Sequence, residues 1–457
     1  MMKKVLFAAL ITATFAASAT IVIKIEDKSG FQDAISDGDV RTIHRLLNSE
    51  QDKNVKVLLQ AGAYRISGNL AESSSLAKRC YEPDSVATTG SRSMLCGLLL
   101  AGNDLADGDI ASWARTSQDI KTKTAPMYAE FIKTAVEQQA VKQDGSSQGV
   151  IDAQYVIDLF SVVDDYKPFA SWPYKTTITR SENGPDIIPV IWQGGVVNGR
   201  SSRLPFIEVQ INGKTVQGLL DTGTGDNMLL SAADAERVGI DHITPGWQHV
   251  MYVGSATSTS SLGNAKVVKV GNTTLGNVPV VVTNTRIAVI GLNLIRQLGA
   301  SSLSSEALTV SPIATACKDP LAMGSLVSGG HEQLRYPIEI RDEAVRAVID
   351  TGAPMLAYEL RDSLPVASNE NGRPAQGTTT VASLDGTSIP YVTAHGDFSI
   401  AGVTHRNMGY PIFKGQSLNH SAIGAWLLRD NDIVMDFPQG HLCLVPRSST
   451  GTGDGGI

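Results

Sequence analysis

One short pattern occurs twice in this chain, and its repetition restricts the available folds more than any other feature. The first copy is Leu219-Leu220-Asp221-Thr222-Gly223-Thr224 and the second is Val348-Ile349-Asp350-Thr351-Gly352-Ala353. Each follows an apolar strand pattern that opens with a similar tripeptide, Ile207-Glu208-Val209 in one case and Ile338-Glu339-Ile340 in the other. Downstream, each has an apolar pair leading into glycine, Val289-Ile290-Gly291-Leu292 and Ala422-Ile423-Gly424-Ala425, which lie 70 and 74 residues beyond the respective aspartates. A lone Asp-Thr-Gly arises by chance in roughly one chain of this length in ten. Two copies with the same partners in the same order mark an internal duplication.

The surroundings of the duplicated motifs are rich in Val, Ile, Thr and Gly, with hairpin signals such as Asn212-Gly213 between Ile207–Ile211 and Lys214–Val216. A break from Ser311 to Gln333, carrying Pro312, Pro320, Gly324, Gly329 and Gly330, divides this β-rich part into halves of similar size. Upstream, from about Asp27 to Tyr166, apolar residues fall at helical spacing, as in Ile43, Leu46, Leu47, then Leu98, Leu99, Leu100, then Phe131, Ile132, Val136. Turns around Gly38, Gly68 and Gly108 resemble one another, each glycine being followed by an Asp or Asn able to cap the next helix. Their spacing brackets that of tetratricopeptide-type repeats.

These features divide the 457 residues into a leader (1–19), a helical-repeat domain (20–171), a linker with a first strand (172–203) and one β lobe (204–310). An interlobe linker (311–333), a second β lobe (334–448) and a flexible tail (449–457) follow. The fold class expected is therefore multidomain, an all-α repeat region followed by an all-β bilobal domain.

Residues 1–19 have a basic start, an apolar run from Val5 to Ala17 and an Ala17-Ser18-Ala19 end, the pattern of a cleaved secretory leader. The run is shorter than the ~20 residues needed to span a bilayer, so export to the periplasm or medium is expected, without membrane insertion after cleavage. Four cysteines suit an oxidising compartment. We expect Cys80–Cys96 and Cys317–Cys443 bridges, although three connectivities are open. The net charge of −7, with no basic run longer than Lys3-Lys4, argues against a nucleic-acid partner. Histidines are scattered, and no metal or cofactor motif is present. Ser75-Leu76-Ala77-Lys78 matches a bare Ser-x-x-Lys but lacks companion motifs.

From about Leu204 to Pro446 the sequence resembles the aspartic proteases, in which two Asp-Thr-Gly loops meet at an approximate two-fold axis. Each half looks like a retropepsin-type unit, and their fusion implies the bilobal layout of pepsin-like enzymes. The resemblance implies an endopeptidase with Asp221 and Asp350 as catalytic residues, a polypeptide substrate, a monomeric state and no cofactor. It further implies that Thr222 and Thr351 each hydrogen-bond across to the opposite loop, and that a hairpin flap closes near Tyr252 and Gly254.

The residue types support that chemistry independently. Hydrolysing an amide requires an activated water and a proton for the leaving nitrogen, and two adjacent carboxyls sharing one proton supply both. Gly223 and Gly352 lack a Cβ and so let the loops approach closely. Thr224 can donate to its carboxylate whereas Ala353 cannot, which makes the aspartates inequivalent and Asp221 the expected base. Asp226 and Asp436 are expected at the surface or in turns. The alternative is an inactive peptide-binding or scaffolding protein that uses the same cleft, with the helical repeats recruiting a protein partner.

Overall fold

The computed structural model describes residues 30–36, 38–81, 91–122, 165–180, 184–197, 200–250, 257–310, 317, 319–323, 333–361, 379–382, 388–414 and 420–447. The leader, the tail and Phe131, Ile132 and Val136 lie outside them.

Among the described residues the N-terminal region forms three helical hairpins: Phe31–Ser36 with Val40–Ser49, Lys53–Ile66 with Leu70–Cys80, and Ser91–Ala106 with a helix described over 110–122. Their apolar stripes converge on Ile43, Leu58, Leu59, Ala77, Leu98 and Leu99. The Cys80–Cys96 disulfide ties the second hairpin to the third. All three hairpin turns are built alike. Gly38, Gly68 and Gly108 sit at φ 65°, 74° and 73°, the left-handed conformation that glycine adopts without steric cost. Their amides close the preceding helix on Ile35, Arg65 and Leu105. The next residue then caps the following helix: Asp39 accepts from the Thr42 amide (3.0 Å), Asn69 from Glu72 (3.2 Å) and Asp109 from Ser112 (2.9 Å).

Each of these turns also rests on the β-rich part. Gly38 lies against Ala322, Gly68 against the Phe437 carbonyl and Gly108 against Thr176. Next to the last turn, Trp113 packs on Trp247 with ring centroids 5.3 Å apart, flanked by Tyr166 and Phe169. Ala101, Ile110, Trp113 and Ala114 share one apolar cluster with Leu229, Trp247, Leu262, Val281 and Val289 of the first β half. The helical region is thus continuous with the β core.

Among the described residues the β-rich part forms three sheets. A nine-stranded sheet gathers strands from Thr177–Thr179 through Ala288–Gly291, and an eight-stranded sheet gathers those from Ala322–Met323 through His420–Gly424. In each, an alternating strand turns tightly into its neighbour. Asn212-Gly213 (φ 49° and 80°) joins Arg200–Ile211 to Lys214–Asp221, and Arg341-Asp342 (φ 51° and 66°) joins Leu334–Ile340 to Glu343–Asp350. Two consecutive positive φ values give the turn twist that matches paired strands.

The third sheet has five strands in the order Asp186–Pro189, Ala307–Val310, Ala300–Leu303, Asn431–Asp436, His441–Pro446, and so interleaves chain from both halves. The Cys317–Cys443 disulfide fastens the segment between the halves to its last strand.

Two expectations need correction here. Residues 172–203, read as a linker with one strand, supply three strands, Thr177–Thr179, Asp186–Pro189 and Ile191–Val197, that enter two different sheets. The 311–333 linker contributes the strand Ala322–Met323. These strands are short or edge elements whose partners lie up to a hundred or more residues away, so local pattern does not reveal them.

Candidate active site

Asp221 and Asp350 end equivalent strands, Lys214–Asp221 and Glu343–Asp350. Each strand pairs in parallel with the downstream apolar-Gly element of its own half, Gly291 standing opposite Asp221 and Gly424 opposite Asp350. Each glycine closes the back of its loop. The amides of Gly291 and Leu292 bond the carbonyls of Asn227 (2.9 Å) and Thr224 (2.7 Å), and those of Gly424 and Ala425 bond Leu356 (2.9 Å) and Ala353 (2.7 Å). The duplication seen in sequence is therefore a duplication of backbone bonding.

The two loops interlock through their threonines. Thr222 Oγ1 donates to the Ile349 carbonyl (2.7 Å) and accepts from the Thr351 amide (3.1 Å). Thr351 Oγ1 donates to the Leu220 carbonyl (2.7 Å) and accepts from the Thr222 amide (3.0 Å). Both side chains are fully buried, so each hydroxyl satisfies a donor and an acceptor that water cannot reach. We expect Thr222→Ser and Thr351→Ser to fold normally, and Thr222→Val or Thr351→Val to lose about 2–4 kcal/mol in urea unfolding. Valine keeps the shape but leaves a buried amide and a buried carbonyl unpaired at once.

This interlock brings the carboxyls together. A Cβ on Gly223 would meet Asp350, at 2.6 Å from its Cγ, and a Cβ on Gly352 would meet Asp221, at 2.5 Å from its Cγ. Only glycine fits at either position. Each carboxyl thus lies directly against the glycine of the opposite loop. Burial and the neighbouring Asp221 carboxyl raise the pKa of Asp350, so the pair keeps a proton well above the usual carboxylate range.

The hydrogen-bond shells are matched but not identical. Asp221 Oδ1 accepts from the amides of Gly223 (2.8 Å) and Thr224 (3.2 Å), and Oδ2 accepts from Thr224 Oγ1 (2.8 Å). Asp350 Oδ1 accepts from the Gly352 amide (3.0 Å), and Oδ2 accepts from the Tyr358 hydroxyl (2.7 Å). Ala353 provides no such bond, as its side chain dictates. The donor from Tyr358, on the following strand Ala357–Arg361, escaped the sequence reading. Aligning the halves on their aspartates reveals the signal, because Tyr358 falls where the first half has Leu229.

Tyr252 and Gly254 lie outside the described residues, between strands Asp241–Val250 and Thr257–Val270, which pair up to Val250 and Thr257. The second half has a similar frame, Thr379–Ala382 paired with Ser388–Ile400 up to Ala382 and Ser388. Asp226 lies in a bend and Asp436 at a strand end entering a turn, so the turn alternative holds and the surface one does not: they are 8% and 2% exposed. Asp436 Oδ1 accepts from the Gln439 amide (3.1 Å), which fixes the turn on which Gly68 rests. Among the described residues no group of His, Cys, Asp and Glu is arranged to hold a metal ion.

Residues 207–297 match the aspartyl protease family. The matched stretch holds the first Asp-Thr-Gly loop and its Ile-Gly partner, while the second loop lies beyond it. Among solved structures, a retropepsin-like aspartic protease from Rickettsia conorii aligns over 30% of this chain and 94% of its own, at 17% identity and TM-score 0.21. Conglutin gamma, a basic 7S globulin from lupine seeds, aligns over 58% of this chain and 95% of its own, at 11% identity and TM-score 0.34. No curated protein matches the chain. The aspartyl protease match and the paired carboxyls support an aspartic protease in general terms.

Proposed function

We propose that this protein is an exported aspartic endopeptidase whose catalytic pair is Asp221 and Asp350. The observation that carries the reading is that two carboxyls, remote in sequence, each lie against the glycine of the opposite loop, with a reciprocal threonine interlock holding the loops together. One carboxyl would deprotonate a water held between them while the other polarises the substrate carbonyl.

In the first step the ionised Asp221 takes a proton from water as the water oxygen bonds to the carbonyl carbon, and Asp350 gives its proton to the carbonyl oxygen. A neutral gem-diol results. In the second step Asp221 passes its proton to the amide nitrogen, Asp350 takes one from a gem-diol hydroxyl, and the C–N bond breaks. Acid and amine leave, and the pair returns to its starting state. An extended peptide would lie between the halves under the hairpins, held partly by main-chain bonds.

Export is supported by the leader pattern of residues 1–19 and by the two disulfides, and no described helix is long and apolar enough to cross a membrane. The helical hairpins, read as tetratricopeptide-like repeats, would offer a surface to a protein partner.

The test is a digest of a peptide library by the full-length protein from about pH 3 to pH 8, with and without a statine-type transition-state analogue. Internal cleavages abolished by the analogue are expected. Binding of library peptides without cleavage at any pH would favour the inactive peptide-binding alternative.

A further inference from the structure

The two halves differ in a coordinated way around their aspartates. Positions 129 apart correspond across the loops, as the Thr222–Thr351 interlock shows. At the fourth motif position the first half has Thr224 and the second Ala353; at the ninth the first has Leu229 and the second Tyr358. On the neighbouring strand Val289 stands beside Leu229, and Ala422 beside Tyr358. One large residue and two small ones in the second half thus replace a medium-sized trio in the first. Ala353, Tyr358 and Ala422 occupy one buried cluster, so the room left by the two alanines houses the phenol ring. Its hydroxyl reaches Asp350 Oδ2, the oxygen matching the one on Asp221 that Thr224 Oγ1 reaches. Phe413 holds the ring edge-on, with centroids 5.8 Å apart.

From this geometry we propose that Tyr358 is a positioning residue that sets the alkaline edge of activity through Asp350. The inference rests on the hydrolase reading and assigns to the Tyr358 hydroxyl one limb of its pH profile.

The titratable groups that face Asp350 are Asp221 from the opposite loop and Tyr358 from the adjacent strand. Burial and the adjacent carboxyl raise the pKa of Tyr358, so the phenol keeps its proton and acts only as a donor. A hydrogen bond to a carboxylate favours the charged form, and its removal makes that carboxyl hold its proton to higher pH. Asp350 is the carboxyl whose pKa is raised, so losing the Tyr358 donor moves the later ionisation of the pair.

The experiment compares pH profiles of kcat/KM for the full-length protein, Tyr358→Phe, Thr224→Ala and the double variant Tyr358→Phe/Ala353→Thr, using a peptide cleaved by the wild type. Tyr358→Phe is expected to move the alkaline limb upward by about one pH unit, with the acid limb in place, KM within about twofold and kcat lowered about tenfold. Thr224→Ala, which removes the hydroxyl from the other carboxyl, is expected to leave the alkaline limb in place. Ala353→Thr, which restores a hydroxyl at the fourth motif position, should bring the alkaline limb back toward the wild type. A folded Tyr358→Phe protein with an unmoved alkaline limb, or a double variant no closer to the wild type than the single, overturns the assignment.

A second arm does not need activity. Without the donor the native state holds the Asp350 proton to higher pH, so the Tm deficit of Tyr358→Phe should grow between about pH 5 and pH 9. A deficit independent of pH overturns the inference. Absence of any cleavage by the wild type defeats the hydrolase reading alone and leaves this arm to decide the role of Tyr358.

Discussion

Asp221→Asn and Asp350→Asn should each lower kcat for peptide cleavage by about four orders of magnitude while leaving the protein folded. Neither variant can both take a proton from water and donate one to the carbonyl oxygen, because an amide replaces one of the two shuttling groups. Both side chains are close in shape to the carboxyl they replace, and the amides of Gly223 and Gly352 still find an oxygen acceptor.

Stability provides the control. In the native state the Asp350 pKa is raised, so the native protein binds more protons than the unfolded chain between the ordinary carboxylate range and that raised value. Stability therefore falls as pH climbs through this interval, and an asparagine at 350 is exempt from the fall. The Tm of Asp350→Asn should exceed that of the wild type by a margin that widens from about pH 4 to pH 8 in thermal melts. Cleavage surviving either substitution would remove the pair from the mechanism.

The second large effect concerns the helical region. A chain beginning near Trp172 should fail to give a cooperative, soluble fold, and Trp113→Ala in the full-length protein should cost about 3–5 kcal/mol in denaturant unfolding. Trp113 is fully buried and touches Trp247, Tyr166 and Phe169, so its removal opens a cavity at the junction of helices and sheet. Truncation goes further and bares Leu229, Trp247, Leu262, Val281 and Val289 together. A region attached in this way behaves as part of the core rather than as a detachable pro-segment. A truncated protein with an unchanged Tm and solubility would contradict that view.

The sequence revealed most where chemistry and symmetry coincide. Both Asp-Thr-Gly loops, both Ile-Gly partners and the Asn212-Gly213 turn were legible because they are short, local and repeated. The crossing threonine bonds followed from the family resemblance. Tyr358 was missed because an aromatic residue in an apolar strand looks like ordinary core, and only its alignment with Leu229 and the alanines at 353 and 422 sets it apart. The five-stranded sheet was illegible for another reason: Asp186–Pro189 and Ala307–Val310 are four-residue strands paired across more than a hundred residues, and short strands carry little periodicity. Asp436 ends a strand of that sheet and is buried, which no local reading of an acidic residue anticipates.

The three glycine turns touch different parts of the β framework. Gly38 meets the strand that opens the second large sheet, Gly68 meets the hairpin that ends the five-stranded one, and Gly108 meets the residue preceding the first strand. The helices accordingly work as a splint laid across a jointed object. Any hinge-like yawning of the two halves must peel at least one turn from its seat, so opening between them has to come from deformation close to the carboxyls and not from swinging the whole frame apart.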